Sequence, residues 1–242
     1  MKLYNKFLCT TGVVFLLGGT SLFAEGQSAQ EILHEANQYV GSMDKYAFDA
    51  VVYHDGVENG EILKQKYKHE VSVKVDRPGK LRIDVKGDTR NRTNYLNDGT
   101  YTMMDHTTDY YGQLKTPDTI EGALDAIFNK YGIKAPLVQL VYSDMDKRFK
   151  FAKSKNFGTV MVDGTECHYI AFSDKNAEVH LWIATGDTPL VKNYSIFDKT
   201  VEGRPTNSAS ITWQTNPKIT DNDFIFAAPK TATNISVISA NQ

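Results

Sequence analysis

Cys167 and His168 are the adjacent pair in this chain that could do covalent chemistry, because a neighbouring imidazole can lower a thiol pKa and release a nucleophile. Their setting works against it. Glu166 to Phe172 reads as a strand, on which neighbouring side chains leave opposite faces, so thiol and imidazole project apart and both are expected to be structural. His34, His54, His69, His106 and His180 show no ligand spacing, neither i, i+4 on a helix face nor alternate positions on one strand. Asp49, Asp84, Asp105, Asp109 and Asp125 are scattered over turns and exposed faces with nothing to pair them. The sequence contains no Gly-x-Ser-x-Gly elbow, no Gly-rich phosphate loop ending in Lys-Ser/Thr, no His-Glu-x-x-His and no Cys-x-x-Cys. A non-enzymatic protein is expected, with no catalytic residue, metal or cofactor.

The aromatics carry more information. Among 13 Tyr, 12 Phe and 2 Trp, many fall in strand-like segments: Tyr46, Phe48, Tyr67, Tyr101, Phe172, Trp182, Tyr194 and Trp213. Two readings stand side by side. They form an ordinary core between sheet and helices, or they line an apolar cavity that a hydrophobic ligand fills.

The elements that would hold these residues begin after residue 24. Residues 1–24 have a basic start (Lys2, Lys6), an apolar run from Phe7 to Phe23 interrupted by Gly, Thr and Ser, and Ala24 at a possible cleavage point. This is secretory signal architecture, too short and broken for a retained span, so a periplasmic protein with no stable membrane span is expected. Without that leader the chain carries 25 basic and 29 acidic residues, which leaves no electrostatic footprint for nucleic acid. Cys167 is then the only cysteine, so no intrachain disulfide can form. Residues 25–242 show no linker or composition break and read as one domain.

Ser28-Ala29-Gln30-Glu31 has capping-box spacing, and Ile32, Leu33, Ala36, Tyr39, Val40 and Met43 follow at helical spacing. Strand-like alternation then runs through Tyr46 to Val52, Leu63 to Val75, Leu81 to Val85 and Tyr101 to Met104. Asp55-Gly56, Asn59-Gly60, Asp98-Gly99 and Asp163-Gly164 supply turns. The period changes after Pro117-Asp118-Thr119, where Ile120, Ala123, Leu124, Ile127, Phe128 and Tyr131 predict a helix; Pro136 predicts a second, through Leu137, Leu140 and Val141. Strands resume beyond Phe149 and end with Phe224 to Phe226. About ten strands joined by short turns, with helices only at the start and middle, predict an antiparallel α+β domain. So many strands call for strong curvature or barrel closure.

Arg77-Pro78-Gly79-Lys80-Leu81-Arg82-Ile83, preceded by Val71-Val73-Val75 and followed by Asn97-Asp98-Gly99-Thr100-Tyr101, resembles the signature of the periplasmic lipoprotein-carrier (LolA/LolB-like) superfamily. Pro189-Leu190-Val191-Lys192 and Phe224-Ile225-Phe226-Ala227-Ala228-Pro229 extend the resemblance. With Gly164 to His168, Leu181-Trp182-Ile183 and Trp213, the chain looks closer still to a family of periplasmic proteins of unknown function within it. The resemblance implies an unclosed β-barrel whose open side is covered by helices, enclosing an apolar cavity for a lipid or a lipoprotein acyl chain. It also implies that Arg77 is a lid latch, since a guanidinium at a strand end can donate several hydrogen bonds to lid carbonyls. Two departures stand out: the carriers have an aromatic where Leu81 or Ile83 stands, and residues 117–145 do not match their helical insert.

The expected ligand site therefore comprises the eight aromatics above together with Leu124, Ile127 and Phe128 from the lid. The alternative is an envelope protein-interaction or stress-sensing module of the same fold with no bound lipid and an envelope protein as partner. Which strand face points inward is open at this stage, because a slip of one residue inverts every assignment.

Overall fold

The computed structural model describes residues 26–148 and 150–239. The leader read at residues 1–24 lies outside the described residues. The capping box forms as expected: Glu31 N–H donates to Ser28 Oγ at 3.2 Å, and Ser28 N–H donates to Glu31 Oε2 at 2.8 Å. It starts helix α1 (Ala29–Ser42), which buries the stripe Ile32, Leu33, Ala36, Asn37 and Val40.

Strands β1 (Lys45–Glu58), β2 (Glu61–Asp76), β3 (Lys80–Gly87), β4 (Asn91–Asn97), β5 (Thr100–Asp105) and β6 (Tyr110–Lys115) follow as a meander. Helix α2 (Ile120–Tyr131) is capped by the Thr119 hydroxyl and ends at Gly132, whose φ of 67° suits a residue without a side chain. After a short α3 (Met145–Arg148) come β7 (Lys153–Val162), β8 (Thr165–Ser173), β9 (Ala177–Ala184), β10 (Val191–Asp198), β11 (Thr206–Gln214) and the two-residue β12 (Thr233–Asn234).

The twelve strands form one curved sheet in the order β12-β6-β5-β4-β3-β2-β1-β11-β10-β9-β8-β7, antiparallel except for β12 on β6. Ends β12 and β7 do not meet, so the barrel is unclosed. The two meanders join at β1 and β11, paired from Ala47↔Gln214 to His54↔Asn207. Tyr46, Phe48, Ala50 and Val52 of β1 share the inner face with Val71, Val73 and Val75 of β2 and with Ala209, Ile211 and Trp213 of β11. The helices lie over this face, and the core is the layer between them.

Three local expectations need correction. Asp55-Gly56 is not a turn: β1 continues to Glu58 through a bulge, where the Asp55 carboxylate accepts the amides of Gln65 and Thr206. Pro136 opens no α-helix, because Leu137 is left-handed (φ 56°) and only a 3₁₀ turn, Val138–Leu140, follows. Phe224–Phe226 is not a strand; a 3₁₀ turn, Asp221–Phe224, tucks Phe224 against the outside of β3 and β4, while Phe226 packs on Tyr95 and Tyr111.

Candidate functional site

Arg77 sits just past the end of β2, anchored by its amide to Asp44 O at 2.8 Å. Its guanidinium donates to Glu121 Oε1 of α2 at 2.7 Å, to Val141 O at 2.6 Å and to the Tyr46 hydroxyl at 3.3 Å. One side chain, 12% exposed, thus ties the sheet floor to both parts of the helical cover. The same Glu121 oxygen also accepts from the Ser143 amide (3.1 Å) and hydroxyl (2.8 Å). Burial pushes the Glu121 carboxyl up, but its own backbone amide, the Ser143 donors and Arg77 together outweigh it and hold the carboxyl below the ordinary range. Tyr46 is pushed up to about 12, chiefly by burial, and stays a neutral phenol. The neighbouring Gly79 packs so closely that a Cβ there would stand 2.2 Å from Asp118 O. The turn and the entry to α2 are in direct backbone contact.

Two apolar hollows lie in the cover. An inner pocket of about 40 Å³ is enclosed by Leu33, Asn37 and Val40 of α1, Gln139 and Met145 of the middle segment, and sheet residues including Leu181, Val191 and Trp213. A surface cleft of about 340 Å³ is lined by Leu124, Phe128, Ile133, Val138, Tyr142 and again Gln139 and Met145. Those two shared residues form the partition between hollow and cleft.

The sequence-predicted residues scatter over this frame. Tyr46, Phe48 and Trp213 meet on the inner face, with Trp213 ring centroids 5.8 and 4.7 Å from Tyr46 and Phe48. Tyr101 lies inward on the opposite wing, its hydroxyl donating to Asn94 Oδ1 at 2.8 Å, and Phe172 lies inward on β8. Tyr194 is buried and donates to Asn207 Oδ1 at 3.0 Å; Tyr67 is half-buried opposite His54. Leu124 and Ile127 are buried under α2, whereas Phe128 is 49% exposed and belongs to the cleft. Trp182 stands on the outer face, stacked on Tyr169 at 4.9 Å and 3°, because Val179, Leu181 and Ile183 take the inner positions of β9. Of the eleven, only Trp213 lines the inner pocket, and only Leu124 and Phe128 line the cleft.

Sequence reasoning missed Asn37, Gln139 and Met145. Asn37 could have been found from the α1 periodicity, where it is a polar residue on the apolar stripe. Also missed was an inner polar cluster, His54 with His69 (5.3 Å between rings) and Asn207, whose Nδ2 lies 2.8 Å from His54 Nδ1. Burial holds both imidazoles below their usual pKa. Cys167 is buried and its thiol is pushed up by burial. Among the described residues no group of three or more His, Cys, Asp or Glu could hold a metal ion, and no helix is long and apolar enough to cross a membrane.

Several solved structures are similar to this chain, and the first of them shares its fold. An uncharacterized conserved protein from Thermus thermophilus is 12% identical, with a TM-score of 0.53 over 87% of this chain and 99% of that one. Lipoprotein LppX from Mycobacterium tuberculosis gives 13% identity and 0.47 over 79% and 97%; a LolA superfamily protein from Nitrosomonas europaea gives 9% and 0.35 over 83% and 98%. No match was found among curated proteins. The sequence model of a family described as "Predicted periplasmic protein (DUF2092)" matches residues 29–238, in agreement with the periplasmic location and the family resemblance expected from the sequence, and the chain belongs to that family.

Proposed function

We propose that the protein is a non-enzymatic periplasmic carrier that holds an acyl chain between the curved sheet and its helical cover. The observation that carries this reading is the pairing of an apolar inner pocket with a surface cleft across only Gln139 and Met145, under a cover fastened by Arg77. The inner pocket alone is too small for a chain, so loading requires the cover to lift. Arg77 is the latch: freeing Val141 O and Glu121 releases the middle segment and α2 together.

Native mass spectrometry of protein purified from its own periplasm tests the reading. An adduct in the lipid mass range, lost on delipidation and regained with an acyl probe, is expected; protein that arrives empty and takes up no acyl probe refutes it. Arg77→Leu is expected to speed both uptake and release of the probe several-fold.

A second reading, an envelope protein-interaction module, draws on the outer surface. Phe157 stacks on Tyr169 at 4.7 Å beside the edge strand β7, where Val160 and Met161 are exposed. Crosslinking in intact cells that traps one envelope protein through β7, with no lipid adduct, would favour it.

A further inference from the structure

The inner pocket contains one polar group without a partner. Asn37 lies on the buried stripe of α1 between Leu33 and Val40, is 9% exposed, and its buried Nδ2 makes no hydrogen bond. Neighbouring donors on the same walls are engaged: Trp213 Nε1 donates to Val191 O at 2.7 Å, and the Gln139 side chain hydrogen-bonds the Tyr194 hydroxyl. A buried amide with no acceptor is unfavourable, and leucine, of similar shape, would occupy the position without that cost. An acceptor that arrives with the ligand accounts for the amide.

Building on the carrier reading, we propose that Asn37 donates its Nδ2–H to the carbonyl oxygen of an uncharged acyl ester or amide, and so selects that class of ligand. The walls decide between ester and free acid. No Lys, Arg or His lines the pocket, so an ionised carboxylate would be buried without a counter-cation. A neutral carbonyl supplies the single strong acceptor that one free donor needs. The alkyl part then lies against Leu33, Leu181 and Val191, and the rest of the molecule leaves past Gln139 and Met145 into the cleft.

Three probes of equal chain length test this on delipidated full-length protein: methyl hexadecanoate, hexadecanoate and hexadecane, each displacing the neutral dye Nile red. The ester is expected to displace the dye at about tenfold lower concentration than either competitor, the equivalent of about 1.4 kcal/mol from one buried hydrogen bond. Asn37→Leu should abolish that preference, weakening the ester while hexadecane holds or improves. The wild-type comparison does not depend on the variant folding. Equal displacement by all three, or an ester preference that survives Asn37→Leu, means that Nδ2 serves a buried water only and overturns the Asn37 assignment while leaving the carrier reading intact. A wild type that binds neither Nile red nor any probe overturns both.

Discussion

The Arg77–Glu121 pair sets the chemistry of the cover at the scale of single residues. Glu121 has its pKa lowered in the folded state, so its contribution is fully present above the ordinary value of 4.5 and fades as pH falls through the lower folded value. Acid therefore weakens the pair from the glutamate side. Glu121→Gln should cost about 1–3 kcal/mol in urea unfolding at neutral pH, with the gap to wild type narrowing below pH 4.5. A gap that stays constant into acid would place the stabilisation elsewhere. Cys167 makes a second residue-level prediction: buried, with a raised thiol pKa, it should resist alkylation in native protein and react at once in urea. The place of Arg77 at a strand end was legible from the alternation before it and the Arg-Pro turn, whereas its contact with the cover was implied only by the family resemblance. Trp182 was not placed correctly, because being aromatic in a strand says nothing about which face it leaves; its neighbours Val179, Leu181 and Ile183 held that information.

Among elements, the turn between β2 and β3 and the start of α2 behave as one unit. Pro78 O accepts the Ile120 amide at 2.8 Å, and Gly79 leaves no room for a side chain against Asp118 O. Gly79→Ala must therefore displace α2 or the turn, with an expected loss of about 1–3 kcal/mol read from the urea midpoint. The hairpin turns were readable, since Asn59-Gly60, Asp98-Gly99 and Asp163-Gly164 all adopt positive φ. The segment after Pro136 was not. Its apolar spacing fits a helix, yet the segment makes only a single 3₁₀ turn before Val141 O faces Arg77, and local propensity cannot register a partner 64 residues away.

The two sheet edges of the whole molecule are treated differently. Beside β6, Thr233 N–H donates to Asp109 O and Ile235 N–H to Tyr111 O, both at 2.8 Å, so the C-terminal segment covers that edge. The β7 edge keeps Val160 and Met161 exposed, Met161 at 67%. A chain ending at Ala228 should bare β6 and self-associate with rising concentration in sedimentation velocity; a truncated chain that stays monomeric would show that the segment has no guarding role. The α+β class and sheet curvature were legible from strand count and period. The edge treatment was not, because β12 is two residues long and carries no pattern.

The seam between β1 and β11 sets the order in which the sheet can form. Gln214 of β11 reaches Asp49 of β1 across 165 residues of chain, and the centre of the sheet cannot close until both are present. Loop closure of that length is slow. A chain that emerges N-terminus first therefore holds β1 without its central partner until β11 has emerged, so topology itself delays completion of the sheet.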